Sequence, residues 1–168
     1  MKDFIEIERK FIIRKPEREV LLNQPFAEST SIVQIYLSAP KGVTRRIRSR
    51  SYNSCVRYFE TFKKRIDKMS TFEDEKEILQ EEFVRKSKEI KENSSPIIKE
   101  RISFAYEGKT IEIDFYPQWK NTAIMEIELT SCDEDVKIPE FIDVIKEVTG
   151  VKSYSNAAMS TNFPPEEK

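Results

Sequence analysis

The chain has 168 residues, 29 Lys plus Arg, 30 Asp plus Glu and no His, so it nets −1 although 35% of its residues are charged. That length fits one domain with a real core; 38% hydrophobic residues and 11 Phe exclude a disordered chain, and the balanced charge argues against a general nucleic-acid binder. Without His there is no Ser-His-Asp triad, no Cys-His dyad and no His-ligated zinc, and Cys55 and Cys132 make neither a four-Cys zinc site nor a disulfide framework. A metalloenzyme with this composition must use carboxylate ligands, which favour hard cations such as Mg²⁺ or Mn²⁺. The only glycines, Gly42, Gly108 and Gly150, supply neither a P-loop nor a dinucleotide cradle, so any phosphate must be held by side chains. The N-terminus lacks the apolar stretch of a signal peptide and no apolar run reaches membrane length, so the expectation is a soluble cytoplasmic protein.

Period-two alternation dominates the chain. Over residues 3–13, Ile5, Ile7, Phe11 and Ile13 fall on one side (Arg9 is the exception), and Glu6, Glu8 and Lys10 on the other. Residues 16–24 read as a short helix with Pro16 at its first position and Val20, Leu21 and Leu22 as its apolar side. Strands follow at 32–38 and, after a Pro40-Lys41-Gly42 turn, at 43–50, with Arg46, Arg48 and Arg50 on one face. Residues 55–65 place Thr61 and Lys63 opposite Val56, Tyr58 and Phe62, and 71–78 alternate Glu73, Glu75 and Glu77. A helix is expected at about 78–92, with Leu79, Phe83 and Ile90 near one face. The strand at 96–107 sets Lys99, Arg101 and Ser103 against Ile98, Ile102, Phe104 and Tyr106, and Glu107-Gly108-Lys109 closes a hairpin. Residues 109–116 put Glu112 and Asp114 opposite Ile111, Ile113 and Phe115, and 123–130 put Glu126 and Glu128 opposite Met125, Ile127 and Leu129. A last helix is expected at about 139–149, with Phe141, Val144, Ile145 and Val148 inward and Gly150 as its C-cap. The expected organisation is one domain over residues 1–160 and a frayed tail over 161–168.

For a single strand, a charged face is ordinarily a solvated one. Here the charged faces are sorted by sign: Glu and Asp blocks on some strands, Arg and Lys blocks on others. Like charges two apart on one strand repel, so a solvated face gains nothing from them. They make sense facing inward across a closed antiparallel barrel of eight strands, where carboxylates hold a divalent cation and Arg and Lys hold phosphoryl oxygens. Peripheral helices would cover part of the apolar exterior, giving an α+β, mainly β class.

In this order the motifs resemble those of the CYTH superfamily, the triphosphate tunnel metalloenzymes. Glu6-Ile7-Glu8-Arg9-Lys10 is similar to the family's N-terminal signature. Arg46-Ile47-Arg48, Thr61-Phe62-Lys63, Glu73-x-Glu75-x-Glu77, Lys99-x-Arg101, Glu112-x-Asp114 and Glu126-x-Glu128 match its later strands. Glu100 departs from the Thr often found between Lys and Arg, on the face away from ligand. The resemblance implies a closed eight-stranded tunnel and a Mg²⁺- or Mn²⁺-dependent enzyme acting on a triphosphate, inorganic triphosphate before all. ATP cyclisation to cyclic AMP, thiamine triphosphate hydrolysis and a non-catalytic polyphosphate- or nucleotide-binding module are the alternatives. It further implies Lys10, Arg46, Arg48, Lys63, Lys99 and Arg101 as phosphate ligands and Glu6, Glu8, Glu112, Asp114, Glu126 and Glu128 as metal ligands. Glu73 and Glu75 would hold a second metal or orient the attacking water, and Lys10 or Lys63, if a base, needs its pKa lowered by neighbouring cations. Trp119 is a weak candidate for a thiamine platform and is expected to cover the outer barrel, and both cysteines are expected to be inert. No nucleic acid or membrane partner is expected; a homodimer is open.

Overall fold

The structure is a computed structural model that describes the backbone from Lys2 to Lys168 and side chains from Ile5 onward. Its strands are β1 (Lys2–Arg14), β2 (Glu28–Leu37), β3 (Val43–Tyr52), β4 (Cys55–Arg65), β5 (Ser70–Ile78), β6 (Ile97–Tyr106), β7 (Lys109–Phe115), β8 (Thr122–Leu129) and β9 (Val144–Glu147). Eight of them run antiparallel in the order β5-β4-β3-β2-β6-β7-β8-β1, and β1 pairs back onto β5 to close the barrel. Closure leaves the barrel strands without a free edge along that seam. The alternation places the helix-free charged face inside, as the sequence predicts. Among the described residues no helix is long and apolar enough to cross a membrane.

Outside, the apolar faces form two clusters. Phe11, Ile13, Phe104, Ile111, Ile113, Met125 and Ile127 are covered by Leu21 of α1 (Arg18–Leu22) and by Ile142. Ile35, Leu37, Ile47 and Ile78 are covered by Tyr58 and by Phe83 of α2 (Gln80–Ser87). Helix α1 begins at Arg18, with Pro16 outside it, and α2 ends well before residue 92. Ile90 leaves the helix because its backbone bridges to Leu37 at the end of β2, a pairing that competes with further helical turns.

The helix expected at 139–149 is not formed. Residues Val144–Glu147 make β9, antiparallel to β1 through Phe11↔Glu147 and Ile12↔Lys146. Phe141, Val144, Ile145 and Val148 do recur at helical spacing, but the run is too short for period alone to decide. β1 pairs β5 only through Lys2–Ile7, so its edge beyond that point is open. The β-branched pair Val144-Ile145 fills it, which satisfies backbone groups that a helix would leave exposed. Gly150 is therefore not a helix C-cap, although its φ of +75° is of the kind that favours glycine.

A third cluster closes one end of the barrel. At that end the inward positions turn apolar (Ile12, Tyr36, Ile97, Ile124), and Tyr116, Trp119, Val148, Tyr154 and Met159 pack onto them. Trp119 thus lies in the end cap and not on the outer wall, 5.6 Å from the Tyr116 ring and 5.3 Å from Phe163. The segment 161–168, expected to fray, makes contacts with the end cap and with β8. Trp119 Nε1 donates to the Pro164 carbonyl at 3.0 Å, and Glu166 accepts from the Thr122 backbone N–H at 2.8 Å. Aromatic burial and charged hydrogen bonds hold the segment, none of which shows in its Pro- and Glu-rich sequence. Cys55 and Cys132 are both exposed and unpaired.

Candidate functional site

The inward faces surround one cavity of about 1140 Å³. Strand register decides which charges meet in it. Across the β3–β4–β5 wall, Arg46 lies opposite Thr61 and Thr61 opposite Glu75, while Lys63 lies opposite Glu73. Across β7–β8–β1, Glu112 faces Glu126, Lys10 faces Glu126, and Glu8 faces Glu128. Of the residues singled out from the sequence, all but Asp114 line the cavity.

Asp114 is 1% exposed and lies beneath the lining. Its Oδ2 accepts from Lys99 Nζ at 2.6 Å, and Arg101 donates to both oxygens, at 2.7 and 2.8 Å. Those bonds make Asp114 the counter-ion shared by Lys99 and Arg101. Burial opposes it, but Arg101 and Lys99 hold its carboxyl below the usual range. Burial and then Arg101 push Lys99 down to about 8.

The remaining cations are also mostly matched. Lys10 Nζ lies 3.2 Å from Glu126. Lys63 Nζ lies 2.6 Å from Glu6 and 2.7 Å from Glu73. Arg48 donates to Glu75 at 2.8 Å, and the Thr61 hydroxyl donates to the same oxygen at 2.9 Å. Burial lowers Lys10 and Lys63, but Glu126 and Glu8 outweigh it at Lys10, and Glu6 and Glu73 at Lys63. The net shift of both ammonium groups is upward. Glu73 and Glu75 are kept ionised against burial, Glu73 by Lys63 and Arg46, Glu75 by Arg48 and Thr61.

Two imbalances remain. Arg46 and Arg48 are buried neighbours on β3, and the Nε of each has no hydrogen-bond partner. Arg46 reaches only the Gln34 amide oxygen, at 3.4 Å. Burial and then Arg46 lower the Arg48 pKa to about 10. Leaving a charged donor buried and unpaired is costly, so this pair has room for an anion. On the opposite wall the surplus is negative. Burial and then Glu126 push the Glu8 carboxyl up to about 8, and burial and then Glu112 push Glu128 up to about 7. Burial raises Glu112 as well, against the pull of Arg101. Among the described residues no three acidic side chains converge as a ready metal cluster. Even so, Glu6, Glu8, Glu112, Glu126 and Glu128 offer hard oxygen donors, of which Glu6, Glu112 and Glu126 have cation partners while Glu8 and Glu128 carry the unrelieved repulsion, a donor set that suits Mg²⁺ or Mn²⁺.

The sequence reading left several lining residues out of the site. Arg50 continues the Arg46-x-Arg48 alternation and was findable by extending it two residues. Lys41, Lys68 and Lys91 come from turns and loops, where no period marks them.

No protein-family model matches the chain, and no curated protein matches it in sequence. Solved structures do. The inorganic triphosphatase NE1496 is similar over 96% of this chain and 97% of its own, at 24% identity and a TM-score of 0.61. A conserved hypothetical protein from Pyrococcus furiosus covers 76% of this chain and 80% of its own, at 26% identity and a TM-score of 0.58. A putative adenylate cyclase from Bacillus halodurans covers 78% and 83%, at 16% identity and a TM-score of 0.51. The strand order and the closed barrel, together with these likenesses, show a shared fold: a closed eight-stranded antiparallel barrel.

Proposed function

We propose that the chain hydrolyses a triphosphate, inorganic triphosphate in the first place, with Mg²⁺ or Mn²⁺. The observation that carries this reading is the buried Arg46–Arg48 pair with its unpartnered Nε atoms, set across one cavity from carboxylates in surplus. A ligand that is both anionic and metal-bound answers both imbalances. The similarity in fold to NE1496, an inorganic triphosphatase, supports it.

In this reading Arg46 and Arg48 hold phosphoryl oxygens through their planar forks, and Lys10, Lys63, Lys99 and Arg101 add charge where it builds on the leaving group. Glu6, Glu8, Glu112, Glu126 and Glu128 would hold the cation, which supplies Lewis-acid polarisation of the phosphoryl group. Water attacks the terminal phosphorus, the bridging P–O bond breaks, and pyrophosphate leaves with phosphate as the second product. Glu73 and Glu75, kept ionised, accept hydrogen bonds from that water and orient it, and its proton leaves to solvent. Lys10 and Lys63 serve as donors.

Inorganic triphosphate is favoured over organic triphosphates by the lining. Tyr36 is its one aromatic residue among those described, and the Tyr36 hydroxyl is engaged by Gln34 Nε2 at 2.9 Å. Trp119 is shut in the end cap, so it offers no platform to a thiazolium or purine ring. The test is a panel of inorganic triphosphate, pyrophosphate, ATP and thiamine triphosphate, read for both phosphate and cyclic AMP. Fastest phosphate release from inorganic triphosphate is expected. Equal or faster conversion of ATP to cyclic AMP overturns the reading.

A further inference from the structure

Building on the triphosphatase reading, we propose that the Tyr36 hydroxyl is a further phosphate donor, a neutral partner to Arg46, and that Gln34 is the positioning residue that keeps its hydrogen free for the ligand.

Strand β2 runs between β3 and β6, the two strands with cationic inward faces. Arg46, Arg48 and Arg50 line the cavity from one side of it, and Lys99 and Arg101 from the other. β2 itself brings no charge. Ile32 and Tyr36 line the cavity, and alternation puts Gln34 on the same face. Register sets Gln34 opposite Arg48 and Tyr36 opposite Arg46. Gln34 is fully buried, so its amide needs partners on both ends.

What each partner can donate fixes the direction of these bonds. A guanidinium has only donors. The end of Gln34 that meets Arg46 Nη1, at 3.4 Å, is therefore the amide oxygen. That turns Nε2 to Tyr36, where it donates to the phenol oxygen at 2.9 Å. The phenol is the acceptor in this pair, and its own hydrogen stays unspent: among the described residues it donates to no group. With the amide reversed, the phenol would donate to Gln34 and have nothing left for a ligand.

The Tyr36 ring is buried in the end-cap cluster, so its oxygen is fixed and only the O–H torsion is free. Burial lowers Arg46, and Tyr36 heads the groups that offset it, ahead of Glu73, as a phenol oxygen beside the guanidinium would. Arg46 in turn keeps an unpartnered Nε. A cavity-lining hydroxyl with a free hydrogen, beside an arginine that lacks an anion, is placed to donate to the phosphoryl group that Arg46 holds. Unlike a further cation, it adds no repulsion to the buried arginine pair.

The test is binding of an imido analogue of triphosphate, which resists hydrolysis, to the full chain with Mg²⁺, read by calorimetry. Tyr36→Phe keeps the ring and deletes the hydroxyl. Its Kd should rise about 10–100-fold, the range for a hydrogen bond to a charged group, with the variant still folded by its urea midpoint. Gln34→Glu puts an acceptor-only carboxylate beside the phenol, which then takes its hydrogen. In that background Tyr36→Phe should cost less than about threefold, a coupling that a merely structural hydroxyl would not show. An unchanged Kd in Tyr36→Phe, or a rise seen only with loss of folded protein, overturns the donor. An equal rise in both backgrounds overturns the role of Gln34. A wild type that binds the analogue but releases no phosphate from inorganic triphosphate overturns hydrolysis and leaves the donor standing; one that does not bind the analogue overturns both.

Discussion

The two walls of the cavity solve the same problem differently. Around β6, β7 and β8, Lys99, Arg101 and Asp114 neutralise one another with short, multiple bonds, so that wall is complete without ligand. On β3, Arg46 and Arg48 are also buried, but only Arg48 has a carboxylate partner, Glu75, and each keeps an unused Nε donor. The first wall is a built support and the second is an electrostatic deficit. Folding tolerates the deficit because the rest of the barrel is well packed, and such local violations concentrate where ligands bind.

The largest effect should come from breaking the complete wall. Asp114→Asn leaves Lys99 and Arg101 short of their counter-charge in a buried setting, which is expected to cost about 3–5 kcal/mol. A urea midpoint reads it; a variant as stable as the wild type would mean that the two cations re-pair elsewhere in the lining. Next is Glu126→Gln, which removes the carboxylate shared by Lys10 and Arg101. The Mg²⁺ or Mn²⁺ concentration for half-maximal turnover should rise by about 10–100-fold, the range for residues that support a metal site. An unaltered metal titration would count against the acidic wall as the cation site.

A smaller effect concerns pH. Glu8 and Glu128 have folded-state pKa values raised to about 8 and about 7 from 4.5. The folded state then binds more protons than the unfolded one, so stability is fully present below about pH 4.5 and falls as pH rises through 7 to 8. Without divalent cations the Tm should drop by a few degrees between pH 5 and pH 8. Added Mg²⁺ or Mn²⁺ should restore more at pH 8 than at pH 5, because binding needs the ionised form. A Tm that rises over that interval without metal would contradict the assigned surplus of charge.

Much of this contrast was legible in the sequence. Alternation in 3–13, 43–50 and 123–130 assigned the inward face of each strand correctly, since a period of two leaves only two choices. What alternation cannot give is pairing, because which cation meets which carboxylate depends on register around the closed sheet. The pairing of Asp114 with Lys99 and Arg101, and of Lys63 with Glu6 and Glu73, is visible only in the folded barrel. β9 was missed because four β-branched and charged residues fit helical and extended spacing equally, and only the open edge of β1 decides between them. Trp119 and Lys68 owe their positions to loops, which carry no period to read.

The account stands or falls on the electrostatic deficit of β3. Arg46→Ala should be measured for phosphate release from inorganic triphosphate and, on the same preparation, for its urea midpoint. Removing the guanidinium deletes a phosphate donor and relieves its repulsion of Arg48, so turnover should fall by about 10²–10³-fold while stability is kept or raised. Undiminished turnover, or a loss fully explained by unfolding, would contradict it.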